Sequence, residues 1–514
     1  MAQRKPAVPT DSSRKMSHEI SPFKNAQASV DTADVSFPEM SEKGPEPNIV
    51  DPSSRRSIFR WFHPDDGPDE RRLILKLDLS ILTFACVGFW CLYIDRGMFT
   101  NAYISGGKED LKFFGNQFVR LNSIFTVGYA ISIIPLTILN TRLPPQHVIP
   151  VCMLLWGTFT CLCGRAESFG ELAAYRFFVG FSEGAFFPSI HWIFGSWYRP
   201  DEIARRAGLF YVAAAIGTCS TGFLAARIFA NLDGALGRAG WRWMFLISGV
   251  VTLPVAIFGY ITFPGTPDNP KKWLFTDTEL ALSRARMKAV GRQSRQTVSI
   301  NRASLKRFLG RWHFWVLVPW SIIFQQGYLT FSQGAYSLWI KSQKQYSTVK
   351  VNNLTTIAPC SAILFIVAFA WLSDRYGHKA TLPLFAFAHL IEFLGQLAFV
   401  AYDHTPVGYK WFGVAVSQVS NCTVPIMYSW ANLICAGDAE ERAFVLSSML
   451  AFAMAFNSWV PILLLPTVEA PRFFKGYLEG LIAQPVAFAL AVLVYYLDRE
   501  RRRPQKVRGG SVQE

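Results

Sequence analysis

The sequence predicts an all-α membrane protein with twelve transmembrane helices in two six-helix bundles. Three observations predict it. First, only 17% of the 514 residues are charged and 51% are hydrophobic, whereas soluble domains carry roughly 25% charge. Second, the apolar residues come in long runs, and about 20 such residues are enough to cross roughly 30 Å of hydrocarbon. Third, the runs fall as six, then a long basic segment, then six more.

Residues 1–72 are polar, rich in Ser, Pro and Glu, and lack the apolar core of a signal peptide. They read as a disordered cytosolic tail, with the first span as an uncleaved insertion signal. The first bundle covers residues 73–262, with spans at 75–95, 118–139, 148–165, 171–197, 207–230 and 243–262. A cytosolic connection, 263–312, opens with Pro264-Gly265-Thr266-Pro267. It continues with Thr276 as a helix N-cap and Glu279 three residues on, which predicts a surface helix bridging the bundles. The second bundle, 313–497, has spans at 314–340, 353–373, 380–401, 408–434, 443–466 and 477–497. Residues 498–514 form a basic cytosolic tail.

The formal net charge of +15 raises the question of nucleic acid, and its distribution answers it. Eleven Lys/Arg against two acids lie between Lys271 and Arg311, and six more basic residues lie between Arg499 and Arg508. These clusters flank apolar spans, which is the positive-inside pattern, so both termini are expected in the cytoplasm and no nucleic acid is expected. All nine cysteines fall in apolar segments, and Cys161-Leu-Cys163 is too short for a metal pair. Neither disulfides nor a metal site is predicted. The absence of G-x-x-x-x-G-K-[ST], H-E-x-x-H and G-x-S-x-G motifs argues against an ATP-driven pump or an enzyme, and no cofactor is expected. Asn353 begins an outward sequon that lies against a span, and Asn421 begins one inside a span.

The most informative residues are Arg176 and Glu183, seven apart in the fourth span. Seven residues is two turns, so both project from one face. A charge at the centre of a membrane helix costs about 2.5–3.5 kcal/mol on insertion scales. Two readings fit. Arg176 and Glu183 can form a structural ion pair, or they can mark a path for a small organic anion, with Glu183 carrying a coupled proton. Gly180 and Gly184 form a G-x-x-x-G that allows close helix approach.

Polar side chains recur in later spans. The seventh carries Gln325, Gln326, Tyr328 and Gln333, and the tenth carries Gln418, Asn421, Tyr428 and Asn432. They suit either a hydroxylated, amide-bearing substrate or helix-to-helix hydrogen bonding. Gln418, Asn421 and Asn432 have one-face spacing. Asn122, His191, Glu392 and Asn457 stand alone in their spans and read first as satisfied packing. Aromatic residues near span ends fit interfacial belts.

The two bundles look related. A shift of 233 residues superposes Arg142 on Arg375 and Pro150 on Pro383 at the same loop of each half, as parallel repeats require. The segment Ser373-Asp374-Arg375-Tyr376-Gly377-His378-Lys379 resembles the loop signature of the major facilitator superfamily. That resemblance implies a cytoplasmic charge latch at Asp374 and Arg375, with Arg142 in the first-half copy, where Thr141 and Pro144 depart from the pattern. Tyr93-Ile94-Asp95-Arg96, Asn101–Gly106, Arg176–Gly184 and Phe187-Pro188-Ser189 are similar to the anion:cation symporter family. Trp241–Phe245 and Pro267–Pro270 resemble its fungal allantoate permease branch. Phe187–His191 and Ser196–Tyr198 look most like fungal pantothenate transporters.

The resemblance implies a proton-coupled importer of a small organic acid by alternating access, monomeric, at the plasma membrane. Its substrate would be pantothenate, or alternatively biotin, nicotinate or allantoate and other ureides. It implies that Glu183 couples the proton and that Arg176 and Arg96 serve the substrate anion, with Asp95 neutralising or gating Arg96. Asn122, Gln325, Gln326, Tyr328, Asn421 and Tyr428 are the further candidates for substrate contact. A non-transporting nutrient sensor of the same fold is the alternative of a different class.

Overall fold

The computed structural model describes residues 61–63, 66–289, 302–435 and 438–509. The notebook of spans expected from hydropathy maps onto helices in order, and the chain is a multi-pass all-α membrane protein. Among the described residues, nine helices are long and apolar enough to cross a membrane. The first runs Pro68–Asp110, well past the expected exit at residue 95. Spans two and three are Gln117–Arg142 and Pro145–Cys163, and five and six are Pro200–Leu232 and Gly240–Thr262. Span eight is Thr348–Ser373, with spans nine, eleven and twelve in His378–Val400, Ala439–Leu464 and Phe474–Gly509.

The other three crossings are broken helices, which corrects the expectation of one continuous helix each. Span four is Phe169–Glu183 followed by Phe186–Trp197. Span seven is Trp312–Gly327, Leu329–Ser332 and Ala335–Ser342, with Gly334 in the left-handed region at φ +74°. Span ten is Val407–Val416, a 3-10 turn Ser420–Thr423, and Val424–Ile434. Span one is irregular too: Ser105 and Gly106 leave helical geometry inside the segment Tyr103–Gly107. The irregular crossings are therefore one, four, seven and ten, a period of three that repeats between the halves.

Close packing shapes the first half. A Cβ on Gly180 or Gly184 would collide with the main chain of Phe125 or Tyr129, so spans two and four touch backbone to backbone. Large apolar side chains such as Leu364, Val367 and Ile482 point outward, as a lipid-facing surface requires.

The halves meet at one end. Asn352 Nδ2 donates to Ser105 Oγ at 2.9 Å, and Thr355 Oγ1 donates to Asn101 Oδ1 at 3.4 Å. The Val119 and Val468 amides donate to Thr467 Oγ1 and Asn116 Oδ1, both at 3.3 Å, and Lys341 pairs with Glu109 at 3.4 Å. Deeper in the same seam, Cys219 Sγ of span five lies 2.8 Å from Cys360 Sγ of span eight. At the opposite end no hydrogen bond or ion pair joins the halves among the described residues.

The connecting segment does not bridge the bundles as expected. Its helix Asp277–Ala289 docks on the first half, through Lys76–Glu279 at 2.7 Å and a buried Arg286–Glu202 ion pair. Thr276 and Glu279 cap it reciprocally, amide to side chain, at 2.9 and 3.3 Å. The helix Arg302–Leu309 belongs to the second half, where Trp315 Nε1 donates to the Leu309 carbonyl. Arg206, counted with the loop charges from sequence, is buried instead. Its guanidinium grips Asp78 in span one at 2.6 and 2.8 Å, and Tyr198 and Trp61 complete the carboxylate's partners at 2.9 Å each.

Candidate functional site

Span four ends its first helix at Glu183 because Gly184 and Ala185 interrupt it. The break puts a carboxylate at a helix end inside the bundle. Its partner is Arg96, from span one: Arg96 Nε donates to Glu183 Oε2 at 2.8 Å. This corrects the reading that paired Glu183 with Arg176. Glu183 is fully buried, whereas the Arg96 side chain is 28% exposed, so the guanidinium stands between the carboxylate and water. Glu183 Oε1 has no hydrogen-bond partner among the described residues. Rings surround the guanidinium, with Tyr129, Phe125 and Tyr93 centroids at 4.7, 5.4 and 5.7 Å.

Arg176 sits one layer away. Its guanidinium lies 4.4 Å from the ring centroids of both Phe99 and Phe125. It is 3% exposed, and its Nε finds no acceptor among the described residues. Phe125 thus lies against both guanidiniums. Cation–π contact compensates a desolvated arginine in part, but an unmet N–H remains a costly buried donor. That combination leaves Arg176 able to accept an anion.

Asp95 does not neutralise Arg96. Neighbours on a helix point about 100° apart, and Asp95 turns into the first half, where Thr252 Oγ1 of span six donates to its Oδ2 at 3.2 Å. Asn122 is half-buried on span two with an unpartnered Nδ2. It shares a face with Phe125 and Tyr129, at spacings of three and seven residues.

In the second half, Gln326 is committed to packing: its Nε2 donates to Asn457 Oδ1 at 2.9 Å. Gln325 and Tyr328 are half-buried beside it, and Tyr328 is within electrostatic range of Tyr93 and Arg96 across the interface. Asn421 is half-buried on the 3-10 turn, and Tyr428 carries an unpartnered buried hydroxyl. Asn432 is exposed while Gln418 is buried. The one-face spacing from Gln418 to Asn432 fails because the helix breaks between them. Gln333 is buried with an unpartnered Oε1, and His191 Nδ1 lies 3.0 Å from the Phe187 carbonyl one turn back.

Sequence reasoning missed Tyr93, Phe125, Tyr129 and Tyr211. Tyr211 lies in electrostatic range of Tyr93, Tyr129 and Tyr428, so tyrosines of both halves converge. The available signal was position: these rings stand in mid-span, where an interfacial belt does not place them. The expected latch is not assembled. Arg142 and Arg375 are exposed with no ion-pair partner among the described residues, and Arg375 lies 5.8 Å from the rings of Trp371 and Tyr376. The Asp374 side chain lies outside the described residues. No group of His, Cys, Asp and Glu suited to a metal occurs among the described residues.

Comparison with known proteins adds three findings. The sequence profile described as "Major Facilitator Superfamily" matches residues 85–461. The "Vitamin H transporter" of Saccharomyces cerevisiae is 33% identical, over 87% of this chain and 77% of the relative. "Pantothenate transporter FEN2" of the same yeast is 32% identical over 79% of this chain and 80% of the relative, and "Pantothenate transporter liz1" of Schizosaccharomyces pombe is 29% identical over 87% and 86%. Among solved structures, a D-xylose-proton symporter superposes with a TM-score of 0.59 at 16% identity, covering 80% of this chain and 97% of that one. A bacterial homologue of Spinster, in an inward-facing and occupied conformation, gives 0.59 at 15% identity, covering 81% and 96%.

Proposed function

The chain belongs to the major facilitator superfamily and is a transporter rather than an enzyme, and on that premise we propose that it imports a small organic acid together with a proton. Pantothenate is the first candidate substrate, with biotin next. The relatives named for pantothenate and vitamin H support a vitamin-like substrate. The observation that carries the mechanism is the Arg96–Glu183 pair between spans one and four.

A substrate carboxylate reaching the half-exposed guanidinium competes with Glu183 for it. Displaced, the buried carboxylate loses its cation and binds a proton, because an uncompensated charge in low dielectric is far costlier than the neutral acid. By reciprocity, protonation of Glu183 frees Arg96 and favours anion binding. A monoanion and one proton cross as a neutral load. Arg176, held between Phe99 and Phe125, is the second anchor for the anion, and Asn122, Gln325, Tyr328, Asn421 and Tyr428 contact its neutral part.

Alternating access follows from the closure at one end. The closed end, with Ser105–Asn352 and Asn101–Thr355, faces outward, and the end bearing Arg142, Asp374 and Arg375 opens to the cytoplasm, where the latch forms in the opposite state. The chain acts as a monomer in the plasma membrane with both termini inside. The test is uptake of labelled pantothenate in transporter-deficient cells, with unlabelled biotin and nicotinate as competitors. Concentrative, acid-stimulated uptake is expected. Absence of pantothenate uptake with entry of another acid overturns the substrate, and absence of any carboxylate uptake overturns the reading.

A further inference from the structure

The second half contains a buried acid that the scheme above does not use. Glu392 is 1% exposed in His378–Val400. His389, Glu392 and Gln396 fall at spacings of three and seven and share one face of span nine. That face is stitched to both broken helices of its half. Glu392 Oε2 accepts the Ser420 main-chain N–H at 2.8 Å, at the break in span ten. Gln396 Nε2 donates to the Gly327 carbonyl at 2.8 Å, at the break in span seven. Gln484 Nε2, from span twelve, reaches the same carbonyl at 3.2 Å, while its Oε1 accepts from His389 Nδ1 at 2.6 Å.

One atom in this network is unsatisfied in an informative way. Gln396 Oε1 is buried with no donor among the described residues, and Gln396 is the hydrogen-bonding neighbour of Glu392 one turn back. An ionised carboxylate offers only acceptors, so it would meet the amide oxygen acceptor to acceptor. The titratable groups facing Glu392 are Tyr328 and Tyr336 from span seven and Cys422 from span ten, with His389 on its own face. No lysine or arginine pairs with it among the described residues.

We propose that Glu392 is a second proton-binding group, whose carboxylic O–H donates to Gln396 Oε1. The proton completes a continuous chain: Ser420 N–H to Glu392, Glu392 O–H to Gln396, Gln396 N–H to the Gly327 carbonyl. It fastens the breaks of spans seven and ten to one helix face. When the proton leaves, the carboxylate and the amide oxygen repel, Gln396 turns, and the Gly327 carbonyl loses a donor. Glu392 is thus a positioning residue for the two helices that bear Gln325, Tyr328, Asn421 and Tyr428. Its role in transport rests on the alternating-access reading, but its protonation does not.

Infrared spectroscopy of the purified full chain in lipid discs tests it directly. A neutral carboxylic C=O band is expected at neutral pH, removed by Glu392→Gln and kept in Glu183→Gln. No such band, or one that survives Glu392→Gln, overturns the proposal. The amide of Glu392→Gln accepts from Ser420 and donates to Gln396, so it mimics the protonated state. Substrate exchange by Glu392→Gln is therefore expected to persist to more alkaline pH than in the unaltered chain, whereas Glu392→Ala loses exchange at every pH. Superimposable pH profiles for Glu392→Gln and the unaltered chain overturn the positioning role. If no carboxylate exchanges while the band still follows Glu392, the proton site stands and the transport reading falls.

Discussion

The interior of the first half is ionic and that of the second is mostly amide. Asp95, Arg96, Arg176 and Glu183 are buried or half-buried within spans one and four. Within spans seven, nine, eleven and twelve the corresponding work falls to Gln326, Gln396, Asn457 and Gln484, with Glu392 as an acid. The two chemistries respond differently to a ligand. An ion pair in low dielectric is parted only by another ion or by a proton, because each partner left alone is expensive. An amide–amide bond is worth about 1 kcal/mol net and is exchanged readily for a substrate hydroxyl or amide. The first half therefore decides whether an anion and a proton move, and the second decides which neutral body the anion carries.

The comparison breaks most visibly at Glu183. Glu183→Gln is expected to abolish concentrative uptake while leaving exchange of bound for free substrate. Uptake that still accumulates and still follows external acidity would remove the ionic half from the coupling. Next comes Arg176→Lys. Losing the planar fork against a carboxylate is expected to weaken binding by about 1.4 kcal/mol, roughly tenfold, in an equilibrium measurement on purified protein. An unchanged affinity would make Arg176 a packing residue between Phe99 and Phe125. Smaller is Gln326→Leu, which strands Asn457. About 1 kcal/mol, or roughly fivefold in KM, is expected, with proton coupling intact. A change in coupling instead would show that the amide half is not confined to substrate shape.

The smallest effect lies outside the bundles, at Lys76–Glu279. Burial raises the Glu279 carboxyl, but hydrogen bonds from Lys76 and from the Thr276 amide outweigh it and hold the group below the usual carboxylate value. A depressed acid stabilises the fold above its unfolded pKa and loses that contribution as pH falls through the folded value. Docking of Asp277–Ala289, followed by amide hydrogen exchange, is expected to weaken as pH drops below about 4.5. Glu279→Gln should flatten that dependence. The pair is partly exposed, so the size is that of a surface ion pair.

The sequence showed where the crossings lie because hydropathy measures what lipid measures. It could not show where helices break, because Gly184, Gly327 and the stretch Ser417–Thr423 interrupt hydrogen bonding without lowering apolarity. Asp95-Arg96 looked like the exit of span one for a related reason. Charges normally mark the interface, yet here each is compensated by another helix, Arg96 by Glu183 and Asp95 by Thr252. The face shared by Arg176 and Glu183 was legible from their spacing. Their pairing was not, since seven residues rise about 10.5 Å along a helix, beyond direct contact. The partner had to come from another span, and periodicity within one helix carries no such information. Asn122, Phe125 and Tyr129 were legible together, had mid-span aromatic residues been weighed like polar ones.

Cys219 and Cys360 place one sulfur on either side of the seam, 2.8 Å apart. Rocking of the halves about that seam would change this separation before it changed most others. The chain therefore carries a native ruler: graded bifunctional thiol reagents, applied with and without substrate, would read the distribution of states by reach alone, with no label introduced.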